Sequence, residues 1–567
     1  MRRAQRANCA RTTAAPSTRA RSSARRMNRG SGCATSGASR ICSRSHPPAC
    51  SRRSRPRSFR ASSCSVARLR CSGRSTRCTA SGASSGCTDS AYSGASAAPM
   101  AESAAPPQSK APKAKAPWRE NIEALASAII VALTFKVFFL EVSQIPSGSM
   151  QPTLMGNPAT GVKDRVLVDK LTYRTRDPER WEVVVFQHPN MRSLTMVKRL
   201  VGMPNEQLRV LDGDLFARPN GESPWRTLRK PELVQRSTWR RLAHQPWGVP
   251  EGRVALAPDA VLAYAPKTGI LDRVVDGYPG KLAPAIENAR RNDMRQGMMI
   301  YPNEGRSHVA DLRLCGEFAL ETGARALRLE FREGEQLYTF VLPGPAAPQS
   351  ENARIERRDE KGATKVLAEA PGRRLAAGSA AALSAQNLDD ELSLIVDGEE
   401  WLRADIEHQR DLRSHVKVLV QGAAAAIDEL ALYRDVHYTS ERSVSTEFEI
   451  PAGCYVMMGD NSPESADGRE WQMVEFELRD GDRIAVERGN LRGPEENPRY
   501  GSGKDGADRV FLIDEYGERI DFARSAATQR PPYASPYVPR ELIKGRAFSI
   551  FWPIRPDLGL YRIGWIR

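Results

Sequence analysis

The sequence predicts a mainly β protein carrying one apolar helix, and three observations lead there. Short runs of alternating apolar and polar residues recur through the second half of the chain, separated by polar and Gly-rich turns. One long apolar stretch stands ahead of them, at 124–140. The segments richest in reactive residues are turn-rich loops or strand-like runs, not amphipathic helices.

At 567 residues, 40% of them hydrophobic, the chain is long enough for several cores. Its formal charge of +17 is unevenly placed. Residues 1–99 hold 20 Arg, no Lys and one acid, Asp89, a net of +19, while the rest carries 64 basic and 66 acidic residues. A basic surface over the folded part is therefore not expected, nor is a nucleic-acid partner.

The same 1–99 segment carries eight of the ten Cys among Ser, Ala, Arg and Gly, without apolar periodicity, and reads as a disordered low-complexity tail. The Cys spacings fit neither zinc pairs nor a disulfide framework behind a signal segment. Arg and Ser richness also suits an organelle transit peptide. Twenty Arg against no Lys fits better with GC-rich DNA read upstream of the true start, with Met100 as the biological beginning and 100–117 as a polar linker. Cys315 and Cys454 remain as two ordinary thiols, and no metal site is expected.

Residues 124–140 read ALASAIIVALTFKVFFL, interrupted only by Ser127, Thr134 and Lys136. The run has no polar face, as a core helix would, and it is just long enough to cross a bilayer. A transmembrane helix is expected over 118–141, with Lys136 near its far end, where the ammonium can reach the headgroups. Lys110, Lys113, Lys115 and Arg119 precede it, an excess that holds the N-terminal side in the cytoplasm and places everything after Leu140 outside. Membrane lipid is thus an expected partner.

Directly after the span, residues 143–154 read SQIPSGSMQPTL, where Pro146, Gly148 and Pro152 forbid regular helix and leave hydroxyls in a loop. Residues 195–204, TMVKRLVGMP, are strand-like, and period two sends Lys198 and Arg199 to opposite faces. Whichever points inward needs a partner, or loses its proton through desolvation. Residues 458–469, MGDNSPESADGR, form a loop in which Asp467 and Arg469 are spaced for an ion pair. Each segment alone has a bland reading as a surface loop, an edge strand or a structural turn.

Together and in this order, the three resemble the characteristic boxes of the type I signal peptidases. Segments 164–170, 182–186 and 538–548 resemble that family's remaining core strands. The resemblance implies a membrane serine endopeptidase with Ser149 as nucleophile and neutral Lys198 as its general base, without histidine or cofactor. It implies an oxyanion hole from the Ser147 hydroxyl and the Ser149 backbone N–H. Ser465 would orient the Lys198 amine, with Asp467 and Arg469 supporting that loop. Ile145, Pro146 and Met150 would lie by the groove of an extended substrate with small residues before the cut, a secretory precursor bearing a signal peptide. The sequence departs from the family pattern at Gly468, Asn205 and Val142–Ser143, none of them a proposed catalytic group.

These readings divide the chain into a catalytic β domain over 142–215 and 446–567, split by an unassigned insertion at 216–306 and an antiparallel β-sandwich at 307–445. A smaller excursion sits near 472–535. Residues 387–398 and 427–434 loosely resemble late strands of a concanavalin-like jelly roll, for which a glycan is a possible ligand and a structural spacer the plainer role. The fold class expected is therefore mainly β: a signal-peptidase-type catalytic domain with one N-terminal transmembrane helix and an inserted sandwich. Two other functions compete with this one. A self-cleaving, DNA-binding Ser-Lys protein would need a helix-turn-helix where the apolar span stands. A non-enzymatic envelope or glycan-binding protein on a decayed protease frame would have lost Ser149, Lys198 or Ser465, and all three are present.

Overall fold

The computed structural model describes residues 117–567, apart from 158–160, 220–223, 280, 296–304, 440–444, 481–482, 493–495 and 505. The tail at 1–99 and nearly all of the linker at 100–117 lie outside the described residues. The chain begins with helix α1 (Pro117–Phe138). Its apolar side chains face outward, Leu125 being 61% and Ile130 64% exposed, so it is not a core helix. Glu120–Phe138 is long and apolar enough to cross a membrane.

Eight strands then build one antiparallel sheet: β1 (Leu140–Gln144), β2 (Arg165–Asp169), β3 (Val183–His188), β4 (Met191–Gly202), β5 (Cys454–Met458), β6 (Tyr537–Pro539), β7 (Ile543–Trp552) and β8 (Gly564–Trp565). Their order is β1-β2-β7-β3-β4-β5-β6, with β8 on β7. Strand β3 shows how the sequence produces this layer. In the run VVVFQH, Val183 and Val185 enter one core with Ile145, Met150, Leu154 and Val166, while Val184 and Phe186 enter another with Leu200, Met457 and Trp471. Both faces of the sheet are covered, which is why β3 is a nearly continuous apolar run.

Between β4 and β5 the chain leaves to form two further layers. One antiparallel sheet contains Arg240–Arg241, Val254–Leu256, Leu312–Leu320, Ala380–Leu388, Glu391–Val396, Glu399–Asp405 and Ala425–Arg434. The other contains Val261–Tyr264, Ala326–Glu333, Gln336–Pro343, Ala353–Arg358, Thr364–Ala370 and His415–Gln421. Alternation along each strand sends Leu314, Phe318 and Ile427 from the first and Leu329, Phe340 and Val418 from the second into one shared core. Segment 216–306, which periodicity could not place, supplies three of these strands and helix Leu282–Arg295.

A four-stranded sheet of Glu206–Leu211, Asp214–Pro219, Arg226–Thr227 and Glu447–Glu449 lies where the chain leaves and re-enters the catalytic layer. The later excursion consists of the hairpin Gln472–Asp480 with Arg483–Asn490 and the three strands Arg499–Ser502, Asp508–Ile513 and Arg519–Ala523. Val474, Phe476, Val510 and Leu512 give it a small core of its own.

Candidate active site

The loop after β1 is pinned by its apolar ends. Ile145 and Met150 are buried, 4% and 1% exposed, and Leu154 closes the turn by donating its N–H to the Met150 carbonyl at 2.8 Å. Between these two plugs Pro146 and Ser147 are exposed and Ser149 is half-buried. The Ser147 and Ser149 hydroxyl oxygens are 3.4 Å apart. Gln151, fully buried, donates Nε2 to the Gly156 carbonyl at 3.0 Å and holds the far side of the loop.

On β4, Lys198 and Arg199 do point to different sides, but neither reaches solvent: they are 1% and 0% exposed. Lys198 shares its parity with Leu200 and Arg199 with Val201, residues that belong to different cores. The expectation of one inward face fails because β4 is an inner strand, paired with β3 on one side and β5 on the other. Arg199 is neutralised in place. Its Nε and Nη2 donate to Asp460 Oδ1 and Oδ2 at 2.8 and 2.7 Å, and Nη1 donates to the Trp181 carbonyl at 2.7 Å.

Lys198 has no carboxylate of its own. Its Nζ donates to Ser465 Oγ at 2.8 Å, and that hydroxyl donates to Asp467 Oδ2 at 2.6 Å. Asp467 is held in a fork by Arg469 Nε and Nη2 at 2.8 and 2.7 Å, and Arg469 Nη1 continues to the Thr439 carbonyl and Ser462 Oγ. Burial pushes the Lys198 ammonium down to about 8, against the pull of Asp467 in the opposite direction. Burial pushes the Asp467 carboxyl up, but the Arg469 guanidinium more than offsets it and keeps the group below the usual carboxylate range. The result is an amine near neutrality beside a carboxylate that stays ionised.

The Ser149 loop meets this network at Gly459. A Cβ there would stand 2.2 Å from Ser465 Oγ and 2.5 Å from the Ser149 carbonyl oxygen, so those two oxygens are less than about 5 Å apart and only glycine fits between them. Asn461 fastens the same junction, its backbone N–H donating to the Ser149 carbonyl and its Nδ2 to the Gly148 carbonyl, both at 3.0 Å. Thr153 Oγ1 donates to Asp460 Oδ2 at 2.6 Å.

Several of these groups were not found by sequence reasoning. Gly459, Asp460 and Asn461 lie inside a box that was recognised, yet their contacts to 148–153 are about 300 residues away in sequence. Arg240 was missed altogether: 2% exposed, it donates Nη1 to the Gln151 carbonyl at 2.8 Å and Nη2 to the Asp460 carbonyl. Tyr278 also reaches this loop, its hydroxyl bonding Gln151 Oε1. Both come from the segment without a recognisable motif.

A family model described as signal peptidase, peptidase S26, matches residues 118–260 and 393–486, which include the Ser149 loop, β4 and the 459–469 loop. Over those residues the chain is similar to the signal peptidases of that family. Among similar curated proteins, it is 33% identical over 117 residues to signal peptidase I of Leptolyngbya laminosa, covering 19% of this chain and 54% of the relative. It is 35% identical over 104 residues to the probable signal peptidase I-2 of a Synechocystis strain, covering 18% and 45%. Against signal peptidase I of Pseudomonas fluorescens it is 37% identical over 108 residues, covering 17% and 35%. The chain thus spans about half or less of the length of these relatives. A carbohydrate-binding module, CBM66 of Bacillus subtilis, is similar over 22% of this chain and 83% of its own, at 16% identity and a TM-score of 0.18, a likeness too slight to carry anything further.

Proposed function

We propose that this chain is a membrane-bound signal peptidase that removes signal peptides from secretory precursors by acyl-enzyme hydrolysis on a Ser-Lys dyad. The observation that carries the reading is the buried Lys198 amine, held by a neutral hydroxyl with an ammonium pKa of about 8, in the same small site as the Ser149 loop. In this scheme neutral Lys198 takes the Ser149 hydroxyl proton as Oγ attacks the scissile carbonyl, then returns it to the leaving amine. The Ser147 hydroxyl and the Ser149 N–H receive the oxyanion. Ser465 fixes the amine, and Asp467 with Arg469 fixes Ser465. Water then hydrolyses the ester, with Lys198 again accepting the proton.

Exposed Pro146 offers a rim along which an extended peptide can lie, while buried Ile145 and Met150 set the floor beneath it; small side chains before the cut suit such a shallow surface. Lysines before α1, with Arg119 at its start, favour a cytoplasmic N-terminus, a single pass of the inner membrane and an extracytoplasmic catalytic layer. Membrane lipid is the remaining partner. A glycan for the sandwich is compatible with this arrangement.

Cleavage tests the reading directly. Detergent-solubilised protein incubated with a signal-bearing precursor should release the mature form, and Ser149→Ala or Lys198→Ala should abolish release while leaving the far-ultraviolet circular dichroism unchanged. Cleavage undiminished in either variant would reject the dyad.

A further inference from the structure

We propose that the carboxylates of Asp214, Asp311 and Asp389 form a binding site for a hard divalent cation of the calcium class, seated where the sandwich meets the four-stranded sheet beside the catalytic layer. The three residues come from separate pieces of the fold. Asp214 opens the strand Asp214–Pro219, Asp311 stands just before Leu312–Leu320, and Asp389 lies in the tight turn between Ala380–Leu388 and Glu391–Val396. One oxygen of each lies within 4.8 Å of the other two. Three oxygens so spaced share a centre no more than about 2.8 Å from each, close to the roughly 2.3–2.6 Å of a calcium–oxygen bond.

A second observation points to a ligand. Asp389 is 3% exposed, and its Oδ2, fully buried, has no hydrogen-bond partner among the described residues. A buried carboxylate oxygen is costly to leave unpaired, and here it belongs to the side chain that faces Asp214 and Asp311. Of the nearby cations, Lys230 attracts Asp389 through space but makes its hydrogen bond elsewhere. Lys230 Nζ is bonded to Asp435, and Arg229 donates Nε and Nη2 to the backbone carbonyls of Asp389 and Asp390, not to their carboxylates. His408 Nδ1 is 3.1 Å from Asp390 Oδ1 and 3.8 Å from Asp214 Oδ2, and Asp411 and Glu333 add further acid close by. Burial, with repulsion among the acids, pushes the Asp214, Asp311 and Asp389 carboxyls up, and a cation bound among them is what would hold them ionised.

The donor chemistry selects the ion. All three groups are carboxylate oxygens and no thiol is among them; the His408 imidazole, which clusters with Asp214 and Asp390, lies nearest Asp390, so a hard oxygen-seeking cation suits the three-carboxylate set better than zinc or copper. Such an ion would tie the sandwich turn and the sandwich's first long strand to the sheet that leads out of β4. Its role would be structural, and the inference is independent of the catalytic reading.

The full-length protein in detergent, stripped with EGTA, should take up one Ca²⁺ per chain in a saturable calorimetric titration. Its Tm should rise by a few degrees at a free Ca²⁺ concentration about 100 times Kd. Asp389→Asn, which keeps the shape and removes the charge, should weaken uptake at least about tenfold. If that variant does not fold, Asp311→Asn in the same titration decides. A stripped wild type with neither saturable Ca²⁺ uptake nor a Tm shift overturns the proposal, as does a folded Asp389→Asn or Asp311→Asn variant that binds Ca²⁺ as tightly as wild type.

Discussion

At Lys198 two effects compete, and burial wins. The side chain is enclosed by the cores on the sheet, and its direct partner is a neutral hydroxyl, so desolvation outweighs the attraction of Asp467 one residue pair away. Since only the neutral amine can accept a proton, activity should rise with pH through the Lys198 titration. With precursor cleavage measured from pH 5 to 9, kcat/KM should climb about tenfold per pH unit and level off above an apparent pKa near 8. A profile flat across that range would mean that another group carries the proton. Gly459 makes a second residue-scale prediction. A methyl group there would collide with Ser465 Oγ and the Ser149 carbonyl, forcing apart the two loops that hold nucleophile and base support. Gly459→Ala should therefore cut kcat by at least about 100-fold, the sensitivity expected when reacting groups shift by an ångström, with circular dichroism close to that of wild type. The three boxes around these residues were legible because each is short and contiguous in sequence. That Gly459 separates Ser149 from Ser465 was not, because Ser149, one side of the crowding, comes from about 300 positions away.

Among the elements, alternation identified the long sandwich strands, while β3 and β4 showed as strand-like apolar runs that resemble the family's segments; neither signal says how many faces are covered. A strand paired on both sides between two cores buries both sets of side chains, and nothing within TMVKRLVGMP distinguishes that from an edge strand. The strands Arg240–Arg241, Val254–Leu256 and Val261–Tyr264 were illegible for a different reason: at two to four residues they are too short to show a period. The first of them carries Arg240, which bridges the carbonyls of Gln151 and Asp460 and so braces the nucleophile loop against the loop beneath it. Arg240→Lys keeps the charge but cannot reach both carbonyls with one planar fork. Losing one buried bond of this kind costs about 1–3 kcal/mol. Steady-state cleavage should show that cost in kcat with KM little changed and the pH midpoint still near 8. A variant with wild-type kcat would show that the brace does not position the loop.

At the scale of the whole molecule, the chain has two substantial bodies of packed β-structure, the catalytic sheet and the sandwich, each with its own buried core. Arg240 and Tyr278, both from the inserted stretch, fasten them by reaching the Gln151 region, and the buried pairs Lys230 with Asp435 and Arg434 with Asp276 brace the inserted stretch itself. Such contacts are sensitive to geometry, because a buried charge that loses its partner is strongly destabilising. Loosening the sandwich should therefore be felt at the active site even though its core lies outside it. Phe318 is 1% exposed at the centre of the sandwich core, and Phe318→Ala should cost about 3–5 kcal/mol through lost burial and the cavity left behind. If the buried contacts couple the two bodies, the midpoint for thermal loss of precursor cleavage should fall together with the Tm read by near-ultraviolet circular dichroism, while activity well below Tm stays at the wild-type level. An inactivation midpoint unchanged in the face of a lowered Tm would mean that the catalytic layer keeps its site without the sandwich, and that Arg240 and Tyr278 do not transmit its unfolding.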